Sequence, residues 1–168
     1  MPALQRFQAR GFMKKHVLIA DDHSAIRESL KAVLVQSGYS VSLAADGEEA
    51  EQQLTSDSVD LLLLDLEMPR RNGWDVFDFL TEKHNAVPVI MITGLADQLD
   101  TKKIAGLDAL LEKPIDVPVL LQTIERLLVE SRDERIQRLS RTFEKCQALG
   151  VGSFGYLALH AAAICREW

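Results

Sequence analysis

The stretch LLLLDLEMP, residues 61–69, decides how this chain folds. Four consecutive leucines with no in-out alternation suit a strand covered on both faces, and the run stops at Asp65, with Glu67, Met68 and Pro69 just beyond. Outward from it, four more short runs rich in Val, Ile and Leu have a similar character: HVLIA at 16–20, YSVSLA at 39–44, VPVIMI at 87–92 and ALLE at 109–112. Asp21 and Asp22 follow the first of these, Thr93 the fourth and Lys113 the last. In an open parallel sheet ligands bind beyond the carboxyl ends of the strands. The placement therefore predicts three carboxylates, a hydroxyl and an ammonium converging on one sheet edge.

Amphipathic stretches fill the gaps between the runs. Residues 24–37 carry Ile26, Leu30, Val33 and Leu34 on one helical face, and Gly38 stands where a helix would end. Asp46 and Glu49 form a capping-box pattern ahead of Ala50 and Leu54. A third helix is predicted from near Asn72, with Val76, Phe77 and Leu80 inward, and a short one is centred on Leu99 to Ile104. Asp116 is placed to cap a last helix, with Pro118 tolerated in its first turn and Leu120, Leu121, Ile124, Leu127 and Leu128 behind it. Strand and helix alternating in this way predict an α/β fold: a doubly wound, five-stranded parallel sheet with right-handed crossovers and helices on both faces.

With 168 residues, the chain has room for one ordinary domain and a short appendage. Its 47% hydrophobic and 26% charged residues fit a globular protein, and no apolar stretch approaches the length that crosses a bilayer. The opening MPALQRFQARGF lacks the features of a secretory signal. Cys146 and Cys165 lie late in the chain without metal-ligand spacing, so reduced thiols and a cytoplasmic location are expected. The net charge of −6 hides an asymmetry: residues 17–130 hold nine Lys or Arg against twenty-one Asp or Glu, a net of −12, whereas residues 1–16 hold four basic groups and no acidic one. The globular part should repel nucleic acid phosphates, which argues against direct DNA binding through it. Residues 1–15 read as a flexible leader, with Met13 an alternative start, 16–130 as the domain and 131–168 as a helical extension.

Three carboxylates gathered within a few ångströms repel one another, and a hard cation with oxygen ligands removes that cost. Asp22 and Asp65 are the best direct ligands for Mg²⁺, with Asp21 contacting the ion directly or through water. Mg²⁺ keeps several waters and commonly bridges carboxylate and phosphate, so the site suits a phosphoryl group delivered from outside. Asp65 is the candidate nucleophile, Lys113 a mobile point charge and Thr93 a hydroxyl donor for the phosphoryl oxygens.

Taken together, DD at 21–22, DLEMP at 65–69 with Gly73 four residues after the proline, ITG at 92–94 and EKP at 112–114 resemble the receiver domain of two-component response regulators, over roughly residues 16–130. The resemblance implies a flavodoxin-like strand order 2-1-3-4-5, a phosphoaspartate at Asp65, and the Glu67 main-chain carbonyl as a further Mg²⁺ ligand. It implies a cis peptide before Pro114 and, at Gly94, space beside the phosphoryl group. Implied partners are a sensor histidine kinase or phosphotransfer protein as donor and a downstream protein target, reached by switching the surface around residues 99–104 and the helix after Asp116. Such a protein is a phosphoacceptor switch that assists its own phosphorylation and dephosphorylation, not an enzyme acting on external substrates.

Three departures from the family pattern bear on the switch. Leu110 stands where a phenylalanine or tyrosine is usual, the stretch from Thr93 to Lys113 is about two residues short, and Glu67 is placed to influence water attack on the acyl phosphate. The first two motivate an alternative, a pseudo-receiver used as a constitutive binding module; another is a regulator whose DNA-binding output domain is truncated. A haloacid-dehalogenase-type phosphatase is a third, against which the adjacent Asp21 and Asp22 lack the DxD spacing. His23 reads as a pocket-rim residue, His16, His84 and His160 as surface residues, and Trp74 and Phe77 as packing.

Within the extension, SRDERIQRLSRTFEKCQAL places Ile136, Leu139, Phe143 and Cys146 at helical steps. This narrow stripe either prolongs the preceding helix and pairs with a second copy as a short coiled coil, giving a homodimer, or docks back onto the same domain. Arg132 to Arg135 interrupt the repeat. The final GVGSFGYLALHAAAICREW reads as a small helix from about Tyr156 burying Leu157, Leu159 and Ile164, too short to be a complete output domain.

Overall fold

A computed structural model of the chain describes residues 14–83, 86–94 and 107–148. The greater part of the leader, the short helix predicted around 99–104 and the segment from 149 onward lie outside the described residues. Five strands, β1 (His16–Ala20), β2 (Ser40–Ala44), β3 (Leu61–Asp65), β4 (Val89–Thr93) and β5 (Ala109–Glu112), form one parallel sheet in the order β2-β1-β3-β4-β5. The described helices are α1 (Ser24–Gln36), α2 (Gly47–Ser56), α3 (Gly73–Glu82), α4 (Val117–Val129) and α5 (Arg132–Ala148).

The sheet divides the core into two layers because successive strand residues face opposite ways. Val17, Ile19, Leu61, Leu63, Ile90 and Ile92 pack with Leu30 and Leu34 of α1 and Leu120, Ile124 and Leu127 of α4. Leu18, Leu62, Leu64, Val89 and Met91 pack on the other side with Ala50 and Leu54 of α2 and Val76, Phe77 and Leu80 of α3. Every residue of β3 and β4 is buried, which is why those runs show no alternation. The reading of all five strands as covered on both faces holds less well at the sheet edges. β2 and β5 each have a neighbour on one side only, and most of their residues are partly exposed.

Local signals set the element ends. Gly38 adopts a φ of +96° just past α1, and its N–H donates to the Val35 carbonyl. Asp46 accepts from the Glu49 N–H at 2.9 Å, but the Glu49 carboxylate receives the Ala45 N–H rather than that of Asp46, so the predicted capping box closes one residue early. Asn72 and Asp75 form a complete box at the start of α3. At the opposite pole Asp60 clips the start of β1, accepting from the His16 N–H at 2.8 Å and from Lys15 Nζ at 2.6 Å.

The helix after Asp116 is not prolonged into the extension. α4 ends at Val129, and α5 starts afresh with Ser131 and Glu134 exchanging hydrogen bonds as a second capping box. α5 docks back onto the domain, with Leu139 buried at 1% exposure and Arg135 at 6%.

Candidate functional site

Asp21 follows β1 directly, Asp65 is the last residue of β3, Thr93 the last of β4, and Lys113 follows β5. Parallel pairing sets these ends side by side, with Asp65 opposite Ile92 and Thr93 opposite Glu112. The Lys113 N–H donates to the Thr93 carbonyl at 2.8 Å, and the Lys113–Pro114 peptide is cis. Lys113 Nζ reaches 2.9 Å from Asp65 Oδ2 and 3.1 Å from Asp21 Oδ2. Both carboxylates are 2% exposed, and the Thr93 side chain is fully buried.

Asp22 is more open, and His23 forms the α1 N-cap with its ring Nδ1 2.7 Å from Asp22 Oδ1. Ligand atoms of Asp21, Asp22, His23 and Asp65 all lie within 4.8 Å of one another. An octahedral ion with bonds of about 2.1 Å sets opposite ligands roughly 4.2 Å apart, so the three carboxylates need only small side-chain adjustments to enclose a hard dication. Their oxygen donors match the chemistry Mg²⁺ prefers. Glu67 has an exposed side chain, and its N–H lies 3.4 Å from Asp65 Oδ1.

Burial, joined by the charge of Asp21, pushes the Asp65 carboxyl above its ordinary value despite the opposing hydrogen bond and charge of Lys113. For Lys113 burial acts downward, but its bonds to Asp65 and Asp21 outweigh it and hold the ammonium above its ordinary value. The ammonium thus balances only part of the negative charge on the three aspartates, leaving the site attractive to a further cation.

The loop after Asp65 is fixed by features the sequence pattern did not announce. Gly73 opens α3 with a φ outside the left-handed region. Its constraint is proximity: a Cβ there would stand 2.5 Å from the Asp65 carbonyl oxygen and 2.9 Å from Leu66 Cα. Arg70 takes a φ of +65° and pairs with Asp46, while Arg71 Nη1 lies 2.9 Å from Glu51 Oε2. Gly94 is the contrast, since a Cβ on it meets nothing within 4 Å among the described residues. Leu110 packs against the α2–α3 side of the core, and Trp74 and Phe77 meet edge to face at 6.2 Å.

The family description "response regulator receiver domain" matches residues 17–125. Response regulator MprA of Mycobacterium ulcerans is 36% identical over 138 residues, covering 78% of this chain and 59% of the relative. Response regulator RR06 of Streptococcus pneumoniae is 34% identical over 115 residues, covering 67% of this chain and 52% of the relative. The chain thus spans little more than half the length of these curated relatives. Among solved structures, a CheY-like receiver domain protein from Methanospirillum hungatei aligns with a TM-score of 0.63 at 27% identity, covering 79% of this chain and 99% of that one. TrrA from Thermotoga maritima, solved in complex with Mg(2+)-BeF, aligns with a TM-score of 0.63 at 30% identity, covering 67% of this chain and 98% of that one.

Proposed function

Because the chain belongs to the response regulator receiver family, we propose that it is a phospho-switch whose Asp65 accepts a phosphoryl group from a histidine kinase or phosphotransfer protein. The observation that carries this reading is the Lys113 ammonium held between the Asp65 and Asp21 carboxylates, beside a cluster of oxygen donors. A nucleophile, a phosphate-binding cation and a metal-binding acid set lie within one hydrogen-bonded group.

In the reaction a carboxylate oxygen of Asp65 attacks phosphorus, the bond from phosphorus to the donor nitrogen breaks, and the histidine leaves. Lys113 shifts its hydrogen bond from the Asp65 carboxylate to a phosphoryl oxygen, and the Thr93 hydroxyl donates to another. Asp21, Asp22, Asp65 and the Glu67 carbonyl would hold Mg²⁺, which when bound supplies positive charge to the phosphoryl oxygens. Loading biases a conformational equilibrium through contacts made only in the phosphorylated state. The downstream contact is with a protein, a reading supported by the acidic body of the domain.

A pseudo-receiver remains a second reading, favoured by Leu110, which already packs inward and lacks a ring to swing. Incubation with acetyl phosphate and Mg²⁺ followed by mass spectrometry separates these readings. One phosphoryl group per chain, mapped to Asp65 and abolished in Asp65→Asn, is expected. No labelling would establish the binding module, and repeated turnover of external phosphate esters would establish a phosphatase.

A further inference from the structure

The family match ends at residue 125, but the β4–β5 edge of the sheet is fastened by a residue beyond it. Arg135 of α5 sends Nε to Asp108 Oδ1 at 2.7 Å and Nη2 to Asp108 Oδ2 at 2.6 Å, a two-pronged guanidinium–carboxylate pair. The same guanidinium donates to the carbonyls of Ala86 and Val87, which lead into β4. Asp108, whose side chain is 0% exposed, also accepts the N–H of Val89, the first residue of β4, at 2.9 Å. Arg138 adds a bond to Asp108 Oδ1 at 2.9 Å and bonds to Glu130 at 2.7 and 2.8 Å.

One buried ion pair thus joins the chain just before β4 to the chain just before β5. Those two strands carry Thr93 and Lys113 at their far ends, roughly 16 Å away at the usual strand rise. β5 is a four-residue edge strand paired with β4 alone, from Ile90 opposite Ala109 to Thr93 opposite Glu112, and Asp108 stands immediately ahead of the first paired residue of β5. Asp21 and Asp65, by contrast, follow or end interior strands. An apolar contact tolerates sliding, whereas a forked hydrogen-bonded pair admits one geometry.

We propose that Arg135 is a positioning residue for the phosphoacceptor site: by holding Asp108 against the start of β4 it sets where Lys113 and Thr93 stand relative to Asp65. The proposal rests on the reading of Asp65 as phosphoacceptor. It predicts a split between two quantities, because metal affinity depends on carboxylates on β1 and β3 while phosphoryl acceptance also needs the groups on β4 and β5.

The test uses the full chain with Arg135→Met and Arg135→Lys. Mg²⁺ affinity is read by calorimetry, beryllofluoride affinity at saturating Mg²⁺, and labelling rate with acetyl phosphate. Mg²⁺ affinity should stay within about twofold of the parent, as for distant independent sites. Labelling rate and beryllofluoride affinity should fall about tenfold or more in Arg135→Met, the scale of a small misplacement of reacting groups. Arg135→Lys, which keeps the charge but not the fork, should fall between. Should Arg135→Met fail to fold, Arg135→Lys and the paired change Asp108→Asn with Arg135→Met carry the same expected split. Parent-like labelling in a folded variant, or Mg²⁺ affinity lost in parallel with labelling, would overturn the proposal. Absence of labelling in the parent chain would instead overturn the phosphoacceptor reading.

Discussion

Asp65, the proposed phosphoacceptor, is a buried charge, and its surroundings set a cost for that. A carboxyl held above its ordinary value of 3.8 destabilises the fold when ionised; that cost is fully present above the raised pKa and disappears as pH falls through it toward the unfolded value. In the presence of a chelator, Asp65→Asn should therefore raise the melting temperature by a few degrees at neutral pH, with the gain shrinking on acidification. Thermal unfolding across pH checks this, and a gain independent of pH would contradict it. On the proposed reading of the cluster as a Mg²⁺ site, added Mg²⁺ should stabilise the parent more than the variant. The residues of this cluster were legible because each stands where an apolar run ends. Arg135 was not. It sits within the 132–135 stretch that breaks the extension's apolar stripe, and its partner Asp108 lies 27 residues earlier, a pairing that no local period encodes.

The elements were legible in proportion to their burial. β3 and β4 are interior strands and read as unbroken apolar runs, while β2 and β5 owe their partial exposure to their place at the sheet edges, which the resemblance implied but the runs themselves did not. Gly73 shows a different limit, because a close approach between a helix start and a strand end leaves the same letter in the sequence as a turn. Gly73→Ala should destabilise the fold by about 1–3 kcal/mol, as forced overpacking against backbone does. Gly94→Ala, whose added Cβ meets nothing within 4 Å among the described residues, should stay within about 0.5 kcal/mol of the parent. Urea denaturation midpoints at unchanged slope provide the comparison, and equal costs at the two positions would contradict the contact geometry. The break between α4 and α5 has a local cause: Ser131 and Glu134 carry the spacing of a capping box, and of the two arrangements open to the extension it is docking back onto the domain, not prolongation of the preceding helix, that the structure shows.

At the scale of the whole molecule, α5 docks on the folded body through the buried Leu139 and through the bonds of Arg135 and Arg138 to Asp108. Among the described residues no helix is long and apolar enough to cross a membrane. The candidate site residues Thr93 and Lys113 and the α5 contact at Asp108 lie toward opposite ends of β4 and β5. The opposite margin of the site is built differently, since the loop after Asp65 is pinned to α2 through Arg70 to Asp46 and Arg71 to Glu51. Two consecutive arginines in an exposed loop are ordinarily an inviting substrate for trypsin. A protease cleft needs an extended segment, and here extension means reversing the kink at Arg70 and stripping two ion pairs from a neighbouring helix. Cleavage after residues 70 and 71 under native conditions should accordingly be slow and should accelerate with urea as global unfolding does, a dependence readable by timed digestion and peptide mapping. A chain built this way keeps the Arg70–Arg71 dipeptide under lock for as long as it stays folded.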